Sequence, residues 1–198
     1  MNRLFDYYNR YIGVTREALS FLESYGEVCH YARGEFFMRP ETRMPYWCMM
    51  LEGLTFGYTL YPRGERRIHW FAFPMQGFTG VRHLYTPAKL GLYIEFMEHS
   101  SLYRIAALRM REAKERFPEI SELLHIYKQQ QLNRYAQIER ILHRSSAYDR
   151  FALFRETFPD IARLVSPQHQ ADFINVSRSQ FFEVQRQWLR SGGGVDSP

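Results

Sequence analysis

A chain of 198 residues with 45% hydrophobic and 17% aromatic side chains can fill one large or two small packed domains, which excludes wholesale disorder. Its unbroken apolar runs, 46–51 and 70–73, are far too short to span a bilayer, and the opening MNRLFDYYNR has no apolar signal-peptide stretch. A cytoplasmic protein with no membrane partner is therefore expected. The formal charge of +5 suits a polyanionic partner without identifying one, since the excess is spread: residues 127–198 hold ten Arg and Lys against seven Asp and Glu, and residues 1–126 sixteen against fourteen.

The first predicted element is a helix ending at Gly26, with Leu19, Phe21, Leu22 and Tyr25 as its apolar residues. Short segments rich in β-branched and aromatic residues follow at 36–39, 46–51, 55–60, 67–73 and 92–97. Turn signals separate them at Arg33-Gly34, Pro40, Glu52-Gly53, Pro62-Arg63-Gly64, Gly77, Gly80 and Pro87. Several short strands at such even spacing predict a small antiparallel barrel or roll. Past residue 106 the pattern turns helical. Over 118–144 an apolar stripe of period near 3.5 runs through Ile120, Leu123, Leu124, Tyr127, Leu132, Tyr135, Ile138, Ile141 and Leu142, with no internal glycine or proline. At 1.5 Å per residue such a helix reaches ~38 Å, longer than a small domain needs for its own core. A seam through Ile120, Leu124, Tyr127, Gln131, Tyr135, Ile138 and Leu142 would zip against a symmetry mate, with Gln129-Gln130-Gln131 on and beside it to set register. A helix at 146–158 comes next, then two shorter ones, and the tail SGGGVDSP reads as disordered.

The two shorter helices carry the most specific local chemistry. Ser166-Pro167 is a helix start, because serine accepts a backbone N–H and proline suits the first helical position. Asn175 stands where a left-handed turn residue is required, Ala171 four residues earlier where little more than a methyl group fits, and Val176 plugs the turn. Ser177 then caps a second helix with Phe181 and Val184 inside and Arg178, Ser179, Glu183 and Arg186 outside. This is a helix-turn-helix spacing. In that docking mode the start of the second helix reaches base edges in the major groove of double-stranded DNA. Arg178 suits a bidentate guanine contact, Ser179 and Gln180 secondary contacts, and Gln168 and His169 phosphate contacts through their backbone N–H groups. Glu183 repels phosphate unless it accepts from a cytosine amino group or pairs with Arg186.

Over residues 15–190 the chain resembles the Crp/Fnr superfamily of bacterial transcription regulators. Arg33-Gly34-Glu35 resembles the glycine turn opening the family's roll, and Leu51-Glu52-Gly53-Leu54 its hydrophobic–x–Gly–hydrophobic strand pair. The segment from Pro74 to Gly80 is similar to the loop that opens the family's phosphate-binding cassette. Ser145 to Phe151 resembles the segment joining dimer helix to DNA-binding domain, and Ala171 to Arg186 the helix-turn-helix. The resemblance implies an α+β fold. An N-terminal antiparallel β-roll (cyclic-nucleotide-binding-like, a double-stranded β-helix) would occupy 1–117, a long dimerisation helix 118–145, a DNA-binding domain 146–190 and a tail 191–198. It also implies a homodimer on duplex DNA, RNA polymerase as a further partner, and no catalytic activity.

The departures from the family are informative. Val81 stands where a cyclic-nucleotide pocket needs a glutamate for the ribose, and Lys89-Leu90-Gly91 where it needs an arginine-serine pair for the phosphate. Valine accepts no hydrogen bond and lysine lacks the bidentate fork, so cyclic AMP is not expected and no cofactor is assigned. An effector pocket, if the roll keeps one, would draw on Arg82, His83, Lys89 and Tyr93. A small molecule bound there would repack the long helix and reset two recognition helices against half-sites about 34 Å apart. The family's second-helix arginine is replaced by Glu183, and 159–166 leaves little room for a β-wing.

Two other readings stay open. A cupin-like metal enzyme would need histidines and a carboxylate grouped on neighbouring strands, yet His30, His69, His83, His99, His125, His143 and His169 include no His-x-His pair. Cys29 and Cys48 cannot make a four-thiolate site alone and read as reduced thiols. A sensor or scaffold that has lost DNA binding is the other reading, with Glu183 as its mark.

Overall fold

A computed structural model of the chain describes residues 13–81 and 89–192. They fall into two compact units, one within Met1–Thr59 and His69–Lys128, the other within Leu60–Ile68 and Gln129–Pro198.

The first unit opens with α1 (Arg16–Tyr25), capped by Thr15, whose side chain accepts from the Ala18 N–H. Thr15 also donates its hydroxyl to Glu119 at 2.5 Å, and this bond holds the Glu119 carboxyl below its ordinary range. Eight strands follow: β1 (Gly26–Tyr31), β2 (Phe36–Met38), β3 (Met44–Glu52), β4 (Thr55–Leu60), β5 (Arg66–Ala72), β6 (Gly77–Gly80), β7 (Tyr93–Phe96) and β8 (Ser100–Ala106). They form two four-stranded sheets, ordered β1-β8-β3-β6 and β2-β7-β4-β5. Strand β8 runs antiparallel to β1 from Gly26↔Ile105 to Tyr31↔Ser100, and to β3 from Tyr46↔Ala106. Two helices complete the unit: α2 (Ala107–Arg116) and the first half of α3 (Pro118–Leu142).

Alternation along β3 explains how the layers close. Cys48 and Met50 join Phe37, Met38, Phe78, Ile94, Phe96 and Leu102 in a core drawn from both sheets. Trp47 and Met49 point the other way and pack with Tyr103, Ile105 and the helices, through Phe21, Leu22, Met110, Phe117, Ile120, Leu123, Leu124 and Tyr127. Strands β3 and β8, at the centre of their sheet, are thus covered on both faces. Tyr103, inside this second core, donates its hydroxyl to the Leu22 carbonyl at 2.8 Å, and burial pushes its phenol far above the ordinary range. Burial likewise raises the Cys48 thiol, so it stays protonated and inert. Gly53 turns β3 into β4 at φ +82°, and a Cβ there would overlap the Ser100 hydroxyl.

Several elements differ from the sequence expectation. Strands β1, β6 and β8 were not expected, and α2 falls where the pattern turns helical past residue 106, without bounds of its own in the sequence reading. Strand β8 has no apolar-polar alternation, because both of its faces are covered, and it enters α2 with no glycine or proline between them. Segment 159–166 is not a bare connection: Pro159–Leu164 forms a short helix, so three helices follow 146–158 rather than two.

The second unit holds the tip of the β4–β5 hairpin, the second half of α3, and α4 (Ala147–Thr157), α5 (Pro159–Leu164), α6 (Pro167–Ile174) and α7 (Arg178–Arg190). Its core is aromatic. Phe151 meets Phe181 at 5.2 Å and Trp188 at 5.9 Å between centroids, and Phe173 meets Phe154 at 5.8 Å and Phe158 at 6.0 Å, all edge-on. Ser191 belongs to the end of α7, exchanging a hydrogen bond with the Tyr148 hydroxyl, while residues 193–198 lie outside the described residues.

Candidate nucleic-acid interface

Helices α6 and α7 form a helix-turn-helix built on local chemistry. The Ser166 side chain caps α6, with Pro167 at the first turn. Buried Gln170 donates its amide to the Ala162 and Val165 carbonyls at 3.0 and 2.5 Å, so the end of α5 is satisfied from α6. At the far end of α6, Asn175 takes the left-handed conformation at φ 55° and ψ 55°. The Val176 N–H then reaches back to the Ala171 carbonyl at 3.1 Å, the bond that closes a Schellman turn. Ala171 is fully buried, as a crossing of two helices requires.

Helix α7 starts with a capping box. The Ser177 hydroxyl accepts from the Gln180 N–H at 3.2 Å, and the Gln180 side-chain oxygen accepts from the Ser177 N–H at 3.0 Å. Gln180 therefore commits its carbonyl oxygen to the helix start and keeps its amide protons for another partner. Arg178, Ser179, Glu183 and Arg186 are exposed on one side, and Phe181 and Val184 are buried on the other. Arg186 turns its Nε to the Phe182 carbonyl at 3.3 Å. Ser179 meets the Ser177 hydroxyl at 3.0 Å.

One residue that sequence reasoning passed over holds the turn from outside. Arg150 of α4 donates Nη1 to the Asn175 carbonyl at 2.8 Å and the Ile174 carbonyl at 3.3 Å. It lies in the segment already noted at 145–151, which was its only signal.

The start of α6 faces the hairpin tip within the same unit. Arg66 contacts His169 Nε2 through Nη1 at 3.1 Å and Asp172 through Nε at 3.9 Å. A guanidinium only donates, so Nε2 accepts and the ring proton is assigned to Nδ1, 2.7 Å from the Ser166 hydroxyl. Gln168 donates to the other Asp172 oxygen at 2.8 Å. A cleft of about 510 Å³ opens here, and Arg66, Arg67 and Arg178 outnumber Glu65 and Asp172 along its lining.

The remaining expected positions scatter. Arg82 and His83 lie outside the described residues. Lys89 is an exposed ion pair with Glu41 at 2.6 Å, and that bond lowers the Glu41 carboxyl. Tyr93 stacks on Tyr58 at 5.0 Å, and Val81 is buried. In the expected seam, Ile120, Leu124 and Tyr127 pack inside the first unit's own core; Ile138 is buried, Gln131 half-buried, and Tyr135 and Leu142 exposed. His69 lies 3.0 Å from the Thr59 hydroxyl. Among the described residues no three His, Cys, Asp or Glu side chains gather as metal ligands. No described helix is long and apolar enough to cross a membrane.

No protein-family model and no curated protein matches the sequence. Solved structures match the fold. FixK2 from Bradyrhizobium japonicum aligns at a TM-score of 0.70 and 17% identity, over 87% of this chain and 89% of that one. The c-di-GMP responsive global regulator CLP of Xanthomonas campestris aligns at 0.71 and 12% identity, over 93% and 96%. A protein from Eubacterium rectale described as a transcriptional regulator of the Crp/Fnr family aligns at 0.68 and 12% identity, over 90% and 85%. A β-roll, a long helix and a helix-turn-helix, in that order, define the class. The fold of this chain is that of the Crp/Fnr regulators.

Proposed function

We propose that this chain is a dimeric, DNA-binding transcription regulator of the Crp/Fnr type, acting in the cytoplasm and carrying out no catalysis. The observation that carries this reading is the exposed face of α7, where a left-handed turn and a capping box present Arg178, Ser179, Glu183 and Arg186 together. Arg178 is the guanine reader, and the N-terminus of α6, with Gln168 and His169, sits on phosphate. Dimer formation is supported by the second half of α3, where Leu132, Tyr135 and Leu142 stay exposed along one helix. The roll serves as a sensor that does not take cyclic AMP, because buried Val81 offers no hydrogen bond and the Lys89 ammonium already pairs with Glu41. An effector at the roll would act through α3 on the spacing of two recognition helices, and RNA polymerase is the partner downstream.

Fluorescence anisotropy with mixed-sequence duplex DNA at about 50 and 200 mM salt tests the reading, and binding should weaken steeply between the two. Absence of binding at the lower salt would overturn it. Arg178→Ala should cost about 1–3 kcal/mol of specific affinity and leave weak non-specific binding largely intact. Leu132→Asp combined with Leu142→Asp should yield folded monomers in sedimentation.

A further inference from the structure

The outward face of α7 also carries an aromatic ring that the reading above leaves unused. Phe182 is 38% exposed, while its neighbours Phe181 and Val184 are 1% and 7% exposed and belong to the core. Residues four apart share a helix face, so Phe182 stands between Arg178 and Arg186 on the outward side. The Arg178 guanidinium lies 5.9 Å from the Phe182 ring centroid, the outer limit of a cation–π contact. The ring also rests edge-on against Phe181 at 5.9 Å, which fixes its root and leaves its outer part presented.

A phenyl ring gains nothing from phosphate or from the donors and acceptors of base edges. The apolar group that the major groove does offer is the C5 methyl of thymine. We infer that Phe182 reads thymine, packing its ring on that methyl beside a guanine held by Arg178. Four residues of helix advance about 6 Å, against 3.4 Å per base step along a strand. The thymine therefore lies one or two steps from the guanine. Glu183 takes no part in this contact. The inference rests on the DNA-binding reading above and adds to it a specificity-determining residue.

The test uses the full chain and duplexes recovered by selection from a random-sequence pool. Each duplex is remade with deoxyuridine in place of thymine, which removes the C5 methyl groups and no hydrogen-bonding atom. The wild-type protein should bind the thymine duplex about fourfold more tightly per methyl contacted, the worth of one buried methyl at ~0.8 kcal/mol. Phe182→Ala should bind both duplexes alike, and Phe182→Leu should keep part of the preference. Circular dichroism checks that both variants are folded. Equal binding of the two duplexes by the wild type overturns the inference while leaving DNA binding intact. A thymine preference that survives unchanged in Phe182→Ala also overturns it, because the methyl is then read elsewhere. Failure to bind any duplex at low salt overturns the DNA-binding reading and this inference together.

Discussion

The two halves of α3 carry one continuous apolar stripe and put it to different uses. In the first half Ile120, Leu123, Leu124 and Tyr127 sit in the core with Trp47, Tyr103 and Phe117. In the second half Ile138 and Ile141 are buried, but Leu132, Tyr135 and Leu142 remain 60%, 46% and 40% exposed. Periodicity reports where a helix is apolar and says nothing about whether the cover is the same chain or another copy. On the dimeric reading proposed above, the surface left for a partner copy is the exposed C-terminal portion.

Three substitutions sharpen this contrast. Ile120→Ala removes side-chain volume from a residue with no exposed surface, and should lower unfolding free energy by about 2–5 kcal/mol in urea titrations. Ile141→Val, at a buried position of the second half, should cost about 0.5–1.5 kcal/mol by the same measurement. Leu132→Ala should stay within about 0.5 kcal/mol of the parent in unfolding, yet move the monomer–dimer equilibrium toward monomer in sedimentation. A large unfolding cost at Leu132 with no change in assembly would show that its cover comes from within the chain.

What the sequence made legible was the chemistry that acts over a few residues. Ser166, Pro167, Asn175 and Ser177 mark their helix ends by side-chain and backbone preferences alone, and all four sit where those preferences direct. Strand β8 escaped because burial on both faces erases alternation, and β1 because none of its residues is buried and half are exposed, polar side chains included. Strand β6 is four residues long and begins and ends with glycine. The Ser177-x-x-Gln180 spacing also spells a capping box, which the reading of Gln180 as a base contact passed over. Phe182 went unnoticed because, next to Phe181, a second phenylalanine reads as core.

On the regulator reading proposed above, the Arg150 contact has a consequence for signalling. One guanidinium nitrogen of α4 grips the two carbonyls that end α6, just before the turn into α7. The helix-turn-helix, the head in this reading, is thereby pinned to α4 at the joint between α6 and α7. A signal arriving through α4 would carry the head as a rigid cargo, changing where it is aimed and leaving its shape alone. The vocabulary of bases it accepts would then be constant, and regulation would select only whether two heads arrive at the right separation together.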